Sequence, residues 1–245
     1  MRALRITLII VVILGGLFVL ADRIAVHFAE GEAADKLKST ENLASTPDVN
    51  IKGFPFLTQV AGGTLDDVEV GIDDYEAATG TAGETIRIDH LKADMKSVDF
   101  SSDYSSATAA SATGTATIGY DDLMKAAKFR QTEVAPGVLA QVVGLSDGGH
   151  GKIKVAVEFE IQALHVKRTV PVLSSVSVAN NKVSVRADDL PQVAGAALAE
   201  GKVRQITDFQ QAIDRLPGGI KLDSVQAAED GVDITVKGTD VKLAG

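Results

Sequence analysis

The sequence predicts an α+β fold in which one long N-terminal helix precedes a set of antiparallel strands. Small and apolar residues recur at every fourth position in residues 22–45, a spacing that is typical of one face of an α-helix. Most segments after Pro47 instead alternate between apolar and polar residues and are separated by tight turns. Alternation of this kind indicates antiparallel strands with one buried face and one solvated face.

The start of the chain carries the features of an export segment. Arg2 and Arg5 precede an uncharged apolar run, residues 6–21, which would span about 24 Å as a helix, short of the roughly 30 Å hydrocarbon core. Residues 19–21 suit cleavage before Asp22, whereas the apolar side chains that follow could lengthen the helix into an uncleaved anchor. Both interpretations stay open at this point.

Either interpretation divides the chain into two parts. Residues 1–21 are a signal peptide or signal anchor, and residues 22–245 are a single exported domain. Because the positive charges of such a segment stay on the cytoplasmic side, we expect the domain in the periplasm or on the outer face of the cytoplasmic membrane.

The composition excludes several classes of function. The 245 residues contain no cysteine, which excludes a disulfide scaffold, thiolate zinc sites and a cysteine nucleophile. The net charge is −9, so the chain has no general electrostatic attraction to nucleic acids or anionic headgroups. Tryptophan is absent and only three tyrosines occur, which disfavours an aromatic platform for sugars or bases.

The helix after the export segment carries a stripe of small residues that would let its backbone approach a sheet closely. The stripe consists of Ala25, Ala29, Ala33 and Leu37, and Pro47 is expected to end the helix.

The clearest strand covers residues 153–161, in which apolar residues alternate with charged or small ones. Its apolar side chains are Ile153, Val155, Val157, Phe159 and Ile161. Shorter alternating runs occur at residues 68–72 and 86–88. Asn180-Asn181 and Asp230-Gly231 predict tight two-residue hairpins.

Two shorter helices are expected between the strands. Asp121 can cap the first, and residues 191–206 predict the second, weakened by two glycines. Residues 209–213 could continue that helix or begin a strand. The Ser-, Thr- and Ala-rich residues 101–117 predict an exposed edge strand or a loop.

The chemical motifs do not indicate an enzyme, a metal site or a cofactor. Gly144-Leu-Ser146-Asp-Gly148 matches the spacing of a nucleophile elbow, but a strand pattern follows it where an elbow needs a helix, so we interpret it as a turn. The four histidines are scattered, and the paired aspartates at 66–67 and 73–74 lack the spacing of a calcium loop.

The most distinctive segment is Gly53-Phe-Pro-Phe-Leu-Thr-Gln59, which ends in Gly62-Gly63. Pro55 favours an extended conformation at Phe54, so Phe54 and Phe56 are expected to project to the same side. The segment is either a corner that fills the core or an apolar lip at a hydrophobic cavity.

This segment resembles the LmeA-like family of actinobacterial phospholipid-binding cell-envelope proteins, and the resemblance covers nearly the whole chain. It continues at residues 62–70, 120–123 and 216–222 and at the Asp230-Gly231 turn. The resemblance implies a tubular-lipid-binding-like architecture, in which a long curved antiparallel β-sheet wraps around the N-terminal helix. It also implies export, phospholipid binding and a role in building lipid-linked mannan chains.

We therefore expect an exported, non-enzymatic protein that binds phospholipid in an apolar cavity between sheet and helix and supports lipoglycan assembly or envelope maintenance. The alternative is an enzyme, or an enzyme accessory, in envelope glycan elongation. The expected partners are phospholipid and the membrane, without nucleic acid or a cofactor, and the oligomeric state stays open. The candidate lipid-contacting residues are Phe54, Phe56, Leu57, Val155, Val157 and Phe159.

Overall fold

A computed structural model describes residues 2–40, 42–78, 85–101, 106–127, 129–180, 182–190, 200–212 and 220–244. This part of the chain contains the helices α1 (Arg2–Thr40), α2 (Phe56–Gly62), α3 (Tyr120–Ala127) and α4 (Glu200–Thr207). Its strands are β1 (Asp48–Lys52), β2 (Thr64–Ala78), β3 (Thr85–Phe100), β4 (Ala107–Gly119), β5 (Thr132–Ala135), β6 (Val138–Asp147), β7 (Lys152–Ile161), β8 (Val166–Ala179), β9 (Lys182–Ala187), β10 (Phe209–Ala212), β11 (Lys221–Ala227) and β12 (Gly231–Ala244). The α+β class with a strongly curled antiparallel sheet is confirmed.

The described strands form two six-stranded sheets. The first sheet has the order β1-β2-β3-β4-β12-β11, and the second has the order β10-β9-β8-β7-β6-β5. The described strand pairs are antiparallel. Strand β11 of the first sheet packs on β8 and β7 of the second, which joins the two sheets.

The export segment and the following helix are one uninterrupted helix, α1. It is long and apolar enough to cross a membrane, and its apolar part is not buried by the rest of the protein. The helix ends at Thr40, so the expected end near Ser45 at Pro47 is wrong. Its C-terminal half packs mainly against β1 and α2, at one edge of the first sheet.

The face that α1 turns toward the protein is displaced by about one residue from the predicted stripe. Asp22, Val26 and Ala34 are buried. Of the predicted stripe, Ala25, Ala29 and Leu37 are half-buried, whereas Ala33 is exposed, which corrects the prediction at that position. The displacement has a polar cause, because Glu30 lies on this face and its Oε1 accepts a hydrogen bond of 2.9 Å from the Ile51 backbone in β1.

Two buried apolar clusters hold the fold together. The smaller cluster joins α1 and α2 to β2, β3, β4 and β12, and its buried members are Val26, Phe56, Leu65, Met95, Val98, Ala107, Ala109 and Val241. The larger cluster joins the second sheet to α3, α4, β11 and β12, and its centre includes Val157, Phe159 and Val203.

The structure tests several of the predicted turns and helices. Strands β8 and β9 pair up to Ala179 and Lys182, as the hairpin predicted at Asn180-Asn181 requires, although Asn181 itself lies outside the described residues. The hairpin predicted at Asp230-Gly231 is confirmed by the antiparallel pairing of β11 with β12, but its turn comprises residues 228–230, because Gly231 already belongs to β12. Helix α3 begins at Tyr120, so Asp121 lies in its first turn.

The remaining predictions concern less regular stretches. Of the helix expected at 191–206, residues 191–199 lie outside the described residues, and α4 covers the end. The question about residues 209–213 is answered by β10 for 209–212. The edge strand or loop expected at 101–117 is wrong for residues 107–117, because β4 lies between β3 and β12, although residues 102–105 are not described.

Candidate functional site

The Phe-Pro-Phe segment places its two aromatic rings in different environments. Phe56 is buried in the smaller apolar cluster with an exposed fraction of 7%, whereas Phe54 is 57% exposed and Leu57 is 37% exposed. The expectation that both rings project to the same side is wrong, because α2 begins at Phe56 and ends the extended conformation there. The segment therefore fills the core with one ring and presents the other to the outside.

Helix α1 fixes this segment through Asp22. The buried Asp22 carboxylate accepts a hydrogen bond of 2.9 Å from the backbone N–H of Leu57 in the first turn of α2. Its other oxygen accepts a hydrogen bond of 2.6 Å from the guanidinium of Arg23, which lies 5.3 Å from the centre of the Phe54 ring. Asp22 and Arg23, which directly follow the apolar run, thus hold Leu57 and Phe54 beside the same turn of α1.

The candidate residues on β7 lie in a closed core. Val155, Val157 and Phe159 have exposed fractions of 4%, 0% and 1%, and they belong to the cluster that includes Tyr120 of α3 and Val203 of α4. The predicted alternation is confirmed for the buried residues 153, 155, 157 and 159. These three side chains are shielded from solvent by the protein side chains around them.

Tyr120 closes this core at its border with the first sheet. Its hydroxyl donates a hydrogen bond of 2.8 Å to the carbonyl oxygen of Ala228, beside the β11–β12 connection. Burial, assisted by the negative charges of Asp147 and Asp233, raises the pKa of Tyr120 to about 12. The phenol is therefore a neutral hydrogen-bond donor at ordinary pH.

A second apolar surface lies on the first sheet, between the two buried clusters. We call it the apolar strip, and it consists of Ile72, Leu91, Ala93, Gly114 and Ala116. Ile72 pairs with Leu91, and Leu91 with Ala116, so these side chains share one face of the sheet. All five residues are half-buried, and in the described part of the chain they belong to neither cluster.

The borders of the apolar strip are bulkier than its middle. Ala93 pairs with Gly114, and Gly114 pairs with Val236. A Cβ added to Gly114 would lie only 2.7 Å from Cγ2 of Val236, so the valine side chain fills the space beside the glycine. Val70 and Met95 border the strip on the side of the smaller cluster, and Ile234 borders it on the side of the larger one. The apolar strip therefore lies between side chains that pack against the smaller cluster and side chains that pack against the larger one.

The opposite face of the same strands is charged and internally paired. Asp67, Glu69 and Asp94 lie close enough together to hold a metal ion. Each of these carboxylates also has an ion pair with a lysine, and the lysines are Lys52, Lys92 and Lys96. The positive charge that a cation would bring to this cluster is thus supplied by the protein itself.

A cavity of about 630 Å³ lies farther along the charged face and is predominantly acidic. Its lining residues are Asp73, Asp74, Arg87, Asp89, His90, Thr117, Ala228, Glu229, Asp230 and Asp233. The hydrogen bond of 2.9 Å with the Asp73 carboxylate raises the pKa of His90, and nearby carboxylates add to the effect. So much negative charge disfavours a phosphate or carboxylate ligand in this cavity.

The serine motif does not form a nucleophile elbow. Ser146 lies in β6, paired with Lys154 of β7, and the turn between these strands comprises residues 148–151. The sequence-based interpretation as a turn is therefore correct for the end of the motif, whereas its serine belongs to a strand.

One of the three comparisons with known proteins, the one with protein families, finds a match. A model of the LmeA-like phospholipid-binding family matches residues 20–237 of this chain. No curated protein matches significantly, and no solved structure does.

Proposed function

Because the chain belongs to the LmeA-like phospholipid-binding family, we propose that it holds the acyl chains of a phospholipid on the apolar strip of the first sheet. The observation that supports this placement is the half-exposure of five neighbouring apolar residues beside two fully packed clusters. An apolar face of this kind gains free energy when an apolar partner removes it from water.

The dimensions and the side chains of the apolar strip suit a hydrocarbon chain. The strip runs across β2, β3 and β4 to the border with β12, about 14 Å at the usual spacing between strands. Its small residues Ala93 and Ala116 are half-buried, whereas Gly114 packs against Val236. Burying ten methylene groups there would contribute about 8 kcal/mol before the cost of ordering the lipid.

The charge of the protein supports acyl-chain burial, rather than headgroup attraction, as the driving force. The net charge of the chain is −9, and the cavity on the charged face is acidic. Anionic headgroups gain nothing from such a surface, so we expect little dependence of lipid binding on salt.

The β7 residues remain a competing assignment for lipid contact. Val155, Val157 and Phe159 were predicted to line the cavity, and their side chains are buried among protein side chains. In our proposal they support the larger cluster beneath the lipid site, and Phe56 does the same in the smaller cluster. Phe54 and Leu57, which are exposed, remain candidates for contact with lipid.

We extend the proposal to location and physiological role. Residues 22–245 would form one lipid-binding domain, held by α1 in the periplasm or on the outer face of the cytoplasmic membrane of an actinobacterial cell. The orientation is supported by Arg2 and Arg5 before the apolar run. Phospholipid binding would there support lipid-linked mannan assembly or envelope maintenance, the role that the sequence resemblance implies. Shortened mannan chains after loss of the gene, restored by the native chain, would support this role, and unchanged chains would contradict it.

A matched pair of substitutions on β4 tests the lipid site. Ala116→Phe should fill the apolar strip and reduce co-purifying phospholipid several-fold, whereas Ala110→Phe makes the same change at an exposed position of the same strand and should leave it unchanged. The measurement is the phospholipid-to-protein ratio of gently purified full-length protein, by mass spectrometry of organic extracts. Equal lipid content in both variants, with equal melting temperatures, would contradict the proposed site.

A further inference from the structure

We propose that the surface around Phe54 and Leu57 docks onto the phospholipid bilayer from which α1 emerges. We call it the junction patch, and it consists of Ile24, Phe28, Phe54 and Leu57. The inference rests on α1 acting as a membrane anchor, as proposed above, and it adds a second contact between the folded domain and the membrane.

The first argument is the exposure of the patch. Ile24 and Phe28 are 62% and 69% exposed on α1, and Phe54 and Leu57 are exposed on the adjoining segment. The hydrogen bond between Asp22 and Leu57 and the contact between Arg23 and Phe54 hold the two parts together. Exposed apolar side chains therefore occur both on α1 and on the segment of the folded domain that Asp22 and Arg23 hold against it.

The second argument is length. The uncharged run of α1, residues 6–21, covers about 24 Å, less than the roughly 30 Å that a hydrocarbon core requires. Extending the run to Ile24 gives about 28 Å. A bilayer of ordinary thickness around α1 therefore reaches the level of Asp22 and Arg23, where Phe54 and Leu57 lie.

The third argument is charge. Asp22 and Arg23 of α1 lie at this level, and they neutralise each other in an ion pair with the Asp22 side chain fully buried. Residues 53–63 contain no charged residue at all, although the chain as a whole carries −9. An uncharged surface with an exposed aromatic ring, next to an arginine that can reach the headgroups, matches a bilayer interface better than a charged protein partner.

The docked position would bring the domain to the source of its ligand. Phe56, the buried neighbour of the junction patch, belongs to the smaller cluster, and Met95 of that cluster borders the apolar strip. A lipid leaving the bilayer at the patch would thus be at the end of the first sheet that leads to the strip.

The absence of tryptophan provides a direct test. Full-length Phe54→Trp and, as a second probe, Leu57→Trp are reconstituted into phosphatidylcholine vesicles that contain lipids brominated near the headgroup end of the acyl chains. We expect a blue-shifted emission and about a twofold loss of fluorescence for either probe. The control is Leu164→Trp, similarly exposed at 67% but in the 3₁₀ turn between β7 and β8, which should stay unquenched.

Phospholipid that co-purifies with the native chain, prepared in parallel, separates this inference from the proposed function. Unquenched probes at 54 and 57, when the native chain retains its phospholipid, would overturn the docking surface alone. Quenched probes, when the native chain carries no co-purifying phospholipid, would support docking and overturn the lipid-binding site. Equal quenching at position 164 would also overturn the junction patch, because the contact would then be unspecific.

Discussion

In its described part, the protein presents two apolar sheet faces that differ in what covers them. The β7 face of the second sheet belongs to the buried cluster that also contains side chains of α3 and α4, it packs on β11, and Val157 at its centre is fully buried. The apolar strip of the first sheet lies between the two clusters and is half-exposed. Alternation thus predicts which side of a strand is apolar, and the helices decide whether that side is closed.

The largest expected difference between the two faces is in stability. Val157→Phe adds a ring to a closed core and should cost about 1–3 kcal/mol of unfolding free energy, with the phospholipid-to-protein ratio of the folded protein unchanged. Chemical denaturation and mass spectrometry of the same samples check both quantities.

The control for this substitution is Lys154→Glu, on the exposed side of β7, which should change neither quantity appreciably. A Val157→Phe protein that keeps its stability and loses its lipid would show that β7 lines the cavity, as the sequence first predicted. The distinction between the two faces would then be wrong.

The smallest expected effect on stability comes from the charged face behind the apolar strip. The folded-state pKa of His90 is raised by Asp73, so this pair stabilises the protein below the ordinary histidine pKa of 6.5 and loses its contribution as the pH rises through the raised value. Both side chains are well exposed, so the melting temperature should fall by only about 2 °C or less.

His90→Gln should remove this small pH dependence and leave the phospholipid content unchanged. Melting curves recorded from pH 5 to pH 9 for both proteins make the comparison. A large loss of lipid in this variant would show that the charged face takes part in binding.

The sequence predicted local features well where one strand or helix carries its own pattern. The alternation of β7 placed residues 153–159 correctly, and the apolar run at the start of the chain forms the helix that both interpretations of the export segment require. The face of α1 was displaced because Asp22 and Glu30 point inward to bind backbone N–H groups, which no apolar periodicity reveals.

The apolar strip could not be predicted because it depends on long-range register. Ala116 meets Leu91 on one side and Ile234 on the other, and only the pairing of β3, β4 and β12 brings these residues together. A weak signal existed in residues 112–117, where Ala, Gly and Ala alternate with threonines. Such small residues are easily mistaken for a loop, and residues 101–117 were indeed interpreted as an edge or a loop.

The role of the Phe-Pro-Phe segment also depends on a contact with a distant part of the chain, which the segment's own sequence does not reveal. The sequence left open whether it fills the core or forms an exposed lip, and the structure divides the two roles between Phe56 and Phe54. The deciding contact is the hydrogen bond from Leu57 to Asp22, which lies 35 residues earlier in the chain.

The most direct test of the difference between the two faces is photocrosslinking with a phospholipid that carries a diazirine in its acyl chain. The full-length protein is loaded with this lipid, irradiated and digested, and the labelled residues are located by mass spectrometry. We predict labels on β3 and β4, at Leu91, Ala93 and Ala116, and none on residues 153–159 of β7. Labels concentrated on β7, with β3 and β4 unlabelled, would contradict the account.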